Sequence, residues 1–217
     1  MKRITIFSGH YGSGKTNVAI NYAKMLKQKG FEVCIADLDI VNPYFRTKDS
    51  EKALVENGIE LIALPFANTS VDLPSLPSQA YGLFQRRDKH VVIDLGGDDR
   101  GALALGRFVP AILEENDYDM IFTVNFYRPL TTTPEEAYEV LREIEYAAKI
   151  KFTAVVNNSN LGPETTPEDI EKTLPMTEKL CEMAKLPFIM TTAEKTVADK
   201  IKAENVFPLV LQEKLFM

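Results

Sequence analysis

Eight consecutive residues, Gly9-His10-Tyr11-Gly12-Ser13-Gly14-Lys15-Thr16, follow the pattern G-x-x-x-x-G-K-[ST]. Each fixed position has its own chemical reason. The glycines allow a tight turn whose backbone N–H groups aim inward at phosphate oxygens. A helix opening near Lys15 adds its positive dipole end at the same point. The Lys15 ammonium would reach the outer phosphates of a nucleotide, and the Thr16 hydroxyl would ligate Mg²⁺. All eight residues are therefore expected to line a nucleotide-phosphate site.

Two acidic clusters supply what such a site lacks. Val91-Val92-Ile93-Asp94-Leu95-Gly96-Gly97 is an apolar run ending in an aspartate with D-x-x-G spacing. Asp94 is expected to hold Mg²⁺ through water, and the Gly97 N–H to sense a γ-phosphate. Asp98 and Asp99 read as cap or surface residues. In Ala36-Asp37-Leu38-Asp39, alternation along an extended segment points both carboxylates the same way. Two carboxylates so aimed repel each other unless a cation or a reaction uses them. Asp39 is expected to orient an attacking water and Asp37 to support the magnesium shell. Later, in Asn157-Asn158-Ser159-Asn160, amides stand where guanine readers commonly carry lysine and aspartate. Asn157 could instead bond the amino group of adenine, which favours ATP.

These residues need a frame that brings strand ends together. Short apolar β-rich runs alternate with longer helical patterns, the mark of a mostly parallel sheet covered on both faces. Seven strands are predicted, at Arg3–Phe7, Glu32–Asp37, Glu60–Ala63, His90–Leu95, Met120–Asn125, Phe152–Asn157 and Pro187–Met190. A helix from Lys15 to Lys29 sets Val18, Tyr22, Met25 and Leu26 on one face. Thr133-Pro134-Glu135-Glu136 and Thr166-Pro167-Glu168-Asp169 read as capped helix starts, and Pro175 should break or kink what the second opens. Pro65 to Pro77, with three prolines, interrupts the alternation as a surface loop.

The bulk numbers bound the class. A chain of 217 residues, 45% hydrophobic and 26% charged, suits one soluble α/β domain spanning 1–217. A net charge of -6 and a pI near 5.1 argue against nucleic-acid binding by charge alone. No run approaches the length needed to cross a bilayer, and Ile4–Phe7 is too short for a signal core, so a cytoplasmic location is expected. Cys34 and Cys181 form no metal or redox motif and read as buried thiols. The apolar end of the chain, from Phe207 to Met217, reads as core packing or a partner contact rather than a membrane anchor.

Taken together, the phosphate loop, Asp37-Leu38-Asp39, Asp94-Leu95-Gly96-Gly97 and Val155-Val156-Asn157 resemble the MinD/ParA-like branch of P-loop ATPases. The resemblance implies an ATP-hydrolysing switch acting on a protein partner, slow by itself, with ATP sandwiched between two subunits of a homodimer. It also implies that the aspartate after strand two, Asp39, positions the hydrolytic water. The chain departs from the pattern at His10, where many members carry a second lysine that reaches the partner subunit's nucleotide. His10 is a poor constant cation, and it reads equally as a loop residue without a role. Relatives of the dethiobiotin-synthetase type suggest another reading, a small-molecule kinase or ligase. There the Pro65–Pro77 loop, with Arg86, Arg87 or Arg128, would bind an acidic acceptor. A metal-insertion ATPase would need a cysteine or histidine tract, and the sequence has none.

Overall fold

The computed structural model describes residues 1–39, 47–63 and 87–211. The expected Pro65–Pro77 loop, Arg86 and residues 212–217 lie outside them. Eight strands form one sheet: β1 (Ile4–Ser8), β2 (Val33–Leu38), β3 (Glu60–Ala63), β4 (His90–Leu95), β5 (Tyr118–Val124), β6 (Ala154–Asn157), β7 (Phe188–Glu194) and β8 (Val206–Leu209). Every pairing is parallel, in the order β3-β2-β4-β1-β5-β6-β7-β8. The seven expected strands are all present, and the sheet is wholly rather than mostly parallel.

The eighth strand, β8, went unpredicted because Pro208 cannot donate to a ladder. It sits at the sheet's edge, where proline is tolerated, with Pro208 in register with Ala193. Leu209 is buried there, so this part of the apolar tail packs into the core.

Alternation along each strand sends residues to two layers. Ile4, Ile6, Val91, Ile93, Met120 and Phe122 pack on one face with α3 (Asp99–Gly106), α4 (Val109–Glu115), α5 (Pro134–Ala148) and α7 (Leu174–Ala184) contributing apolar side chains. Phe7, Ile35, Val92, Ile121 and Val156 face the other way, toward α1 (Lys15–Gln28) and α2 (Glu51–Glu56). A fully buried Phe7 or Phe122 contributes about 2–3 kcal/mol by area. Helix starts follow the sequence signals. Thr133 and Thr166 both make reciprocal capping boxes, with Glu136 and Asp169. Pro175 goes with a break rather than a kink: α6 (Pro167–Glu171) ends before it, and Pro175 lies in the first turn of α7. The last helix, α8 (Lys195–Ala198), follows β7 directly.

With every strand parallel, all carboxyl ends emerge at one edge. The chain steps from β4 across β1 to β5, so the order reverses around β1, and crevices for ligands form at such a point.

Candidate phosphate-binding site

The loop from Gly9 to Gly14 leaves β1 at this reversal and enters α1 at Lys15. Gly14 caps α1 in the left-handed region, at φ +82, which glycine adopts without steric cost. The Ser13 N–H bonds the His10 carbonyl at 3.0 Å and closes the turn. Tyr11 is exposed at the rim.

Register explains the carboxylates. Asp37 and Asp94 are directly opposed across β2 and β4, and Asp94 opposes Phe7 across β4 and β1. They therefore share the α1 face, beside Lys15 and Thr16. Lys15 Nζ lies 2.7 Å from Asp39 Oδ2, with both side chains buried. Burial pulls the Lys15 pKa down, but Asp94, Asp39 and Asp37 outweigh it and hold the ammonium above its ordinary value. Burial drives the Asp94 carboxyl upward, against the opposing pull of Lys15 and the Thr16 and Thr47 hydroxyls. Asp37 Oδ1 accepts the Asp39 N–H at 3.1 Å and so fixes the turn that aims Asp39. Asp98, not Asp94, caps the next helix, accepting the Gly101 N–H at 2.8 Å.

Gly97 shows how tightly these pieces close. A Cβ on it would stand 2.0 Å from the Gly9 carbonyl oxygen, so only glycine lets this turn lie on the phosphate loop. In the same turn, a Cβ on Gly96 would stand 3.1 Å from Asp39 Oδ1. The expected γ-phosphate sensor thus lies against the loop.

The residues beside the loop fit a hydrated Mg²⁺ ion. Asp94 Oδ2 accepts from the Thr47 hydroxyl at 3.0 Å, while Asp94 Oδ1 and Ser13 Oγ are buried without a well-formed hydrogen bond. A buried carboxylate oxygen beside the Thr16 hydroxyl fits a hydrated cation. Among the described residues no cluster of three or more His, Cys, Asp or Glu side chains would hold a metal by itself. The fit is therefore to an ion whose shell is completed by phosphates and water, as Mg²⁺ prefers.

The surroundings of Asn157 and His10 come only from the structure. Asn157 is fully buried, its amide donating to Thr173 Oγ1 at 2.8 Å and accepting the Ser159 N–H at 3.0 Å, so its geometry does not support the expected adenine contact. His10 is neutral at pH 7, because burial and the Lys15 charge lower its pKa. Sequence reasoning also missed several contacts to the phosphate loop and to Asp94. Asn158 Nδ2 donates to the Ser13 carbonyl at 2.6 Å, and its Oδ1 accepts from the Thr192 hydroxyl at 2.5 Å. Arg128 Nε donates to the Gly12 carbonyl at 3.1 Å. Thr47 had no signal, since only the fold brings it to Asp94.

The family model for the CobQ/CobB/MinD/ParA nucleotide binding domain matches residues 4–185, from β1 to the end of α7. The chain belongs to this family. Its site is accordingly that of a P-loop nucleotide-binding domain. A comparison with curated proteins gave no match. Solved structures share the fold at low identity. Chloroplast FtsY from Physcomitrella patens has a TM-score of 0.61 at 15% identity, over 88% of this chain and 58% of that one. FtsY from Thermotoga maritima gives 0.56 at 15% identity, over 88% and 61%. The Signal Recognition Particle 54 kDa protein from Aeropyrum pernix K1, solved with GDP, gives 0.53 at 12% identity, over 87% and 40%. The chain thus spans about three-fifths of the FtsY chains it resembles. No helix among the described residues is long and apolar enough to cross a membrane.

Proposed function

We propose that this family member binds ATP with Mg²⁺, hydrolyses it slowly, and uses the change of nucleotide state to control a protein partner. The observation that carries the reading is the buried Lys15–Asp39 pair at the front of α1, with Asp94 and Asp37 beside it. Four buried ionisable groups converging on one phosphate loop are costly unless they serve a charged ligand.

Each group has a task. Main-chain amides of residues 9–14 and the α1 N-terminus bind phosphate oxygens, and Lys15 neutralises their charge. Thr16 and Asp94, supported by Asp37, would hold Mg²⁺, which when bound supplies further charge neutralisation. Phosphates compete with Asp39 for the Lys15 ammonium, and a released Asp39 carboxylate can orient water in line with the terminal phosphorus. The water oxygen bonds to phosphorus as the bridging bond breaks. The diphosphate keeps that electron pair, and water's proton passes to phosphate and solvent.

Adenine is favoured because Asn158 and Asn160 stand where a guanine reader needs lysine and aspartate, and both amides are engaged locally. A protein partner, a second copy included, is supported by exposed Tyr11, Leu130 and Leu161, which follow strand ends at the site's edge. The kinase or ligase reading gains nothing from Arg128, which lies on the phosphate loop itself. The test is phosphate release from ATP and from GTP, with Mg²⁺ and with EDTA, alongside light scattering to follow assembly. Preference for GTP would refute the adenine assignment, and turnover only with an added small acceptor would replace the switch by a kinase.

A further inference from the structure

The connection from β5 to α5 is built more rigidly than a turn requires. Asn125, fully buried, accepts the Tyr127 N–H at 3.0 Å and the Asn160 N–H at 3.3 Å, and donates to the Asn160 carbonyl. The Phe126 N–H donates to Ser159 Oγ at 3.0 Å, and the Tyr127 hydroxyl to the Asp169 carbonyl at 2.8 Å. Thr131, also buried, bonds the carbonyls of Asn125 and Arg128 through its hydroxyl. These bonds hold Leu130 at φ +65, a left-handed conformation costing a bulky side chain about 1–2 kcal/mol. Strain that a surrounding network enforces is a pointer to function.

What this connection presents is Arg128. Its Nε donates to the Gly12 carbonyl, and its side chain lies along the Gly12 backbone. One of five guanidinium donors is thereby fixed, and no other hydrogen bond engages the side chain among the described residues. The charge balance around the loop shows what this is suited to. Lys15 already faces three carboxylates, and His10 is neutral. A triphosphate carries roughly four negative charges, and more collects on the leaving oxygen as the bridging bond breaks.

We propose that Arg128 is a further catalytic residue, supplying from within the same chain a constant cation to the terminal phosphate. Its Nη groups donate to the terminal phosphate while Nε stays anchored on Gly12. The inference rests on the hydrolysis proposed above, and its test has a binding readout independent of turnover.

Affinity for ADP and for a non-hydrolysable ATP analogue is measured in the wild type and in Arg128→Ala, Arg128→Gln and Arg128→Lys, together with kcat. Arg128→Ala and Arg128→Gln should lose analogue affinity by about 10-fold or more and hold ADP affinity within about 3-fold, as charge-assisted bonds to one phosphate require. Their kcat should fall by about 100-fold or more, with Arg128→Lys retaining an intermediate rate. Equal losses for ADP and analogue would reduce Arg128 to a support of the loop and overturn the proposal, as would wild-type behaviour of Arg128→Gln. If the wild type binds both nucleotides without turnover, hydrolysis falls, and the affinity ratio alone still decides the contact. If it binds neither, both readings fall together.

Discussion

Lys15 is drawn in two directions, toward carboxylates on β2 and β4 and toward any phosphate that enters the loop. Lys15→Ala should lower nucleotide affinity by at least 100-fold, as read by titration calorimetry. The same change removes a cation that Asp94, Asp39 and Asp37 share, so a loss of folding stability should accompany it. Asp39→Ala should behave differently: binding is kept and turnover stops. Loss of binding in that variant would show that Asp39 serves chiefly to hold Lys15. His10 gives a pH prediction. Its pKa is lowered from 6.5, so it is already neutral above that pH, and kcat should show no inflection from His10 between pH 7 and 8. A limb in that window that vanishes in His10→Gln would contradict the neutral assignment. At this scale the phosphate loop and its carboxylates were legible in the sequence, because each is a contiguous run whose spacing is its meaning. The bond from Asn157 to the Thr173 hydroxyl was not legible, because a strand-end amide looks the same in sequence whatever it meets.

Elements were legible wherever local chemistry sets their ends. The two threonine capping boxes were readable because cap and partner lie three residues apart, and Thr133→Ala should cost about 1 kcal/mol in urea unfolding. β8 was not legible, since a proline in a short apolar run argues for a strand only once an edge is known to be available. The bond joining Asn158 to the phosphate loop spans 145 residues and was equally hidden. It ties the carboxyl ends of β6 and β7 to the loop through Asn158 and Thr192, all of them buried. Thr192→Val keeps the shape and removes the donor, leaving Asn158 Oδ1 with a lost partner. Nucleotide affinity should drop several-fold while the melting temperature falls by only a few degrees. An unchanged affinity would mean that the loop holds its form without this tie.

For the molecule as a whole, composition and alternation gave the class, and topology came only from the structure. At the sheet end away from the site, Arg3 forms a buried two-pronged ion pair with Glu115 and donates to the Lys89 carbonyl. It thereby joins β1 to α4 and to the entrance of β4. Glu115→Gln removes a buried charge from this two-pronged pair and should lower stability in denaturant unfolding, by up to about 3–5 kcal/mol. Both cysteines are buried and free, as expected, and burial lifts the Cys181 thiol to about 11. The folded state thus holds that proton more tightly than the unfolded chain, whose thiol titrates near 9. Stability gained from Cys181 is present below pH 9 and is lost as pH rises toward 11, which melting curves over that range would reveal.

The first strand of the chain occupies the middle of the sheet, with β4 on one side and β5 on the other. On the ribosome, residues 4–8 must therefore wait for residues 90–95 and then 118–124 to be made before both edges are hydrogen-bonded. At a synthesis rate of about 5–20 residues per second, that is an interval of roughly 5–20 s in which an apolar segment stands without both its neighbours. Chaperones that scan nascent chains have that interval in which to act, and nascent chains stalled before residue 118 should be pulled down with such chaperones more readily than chains stalled beyond residue 160.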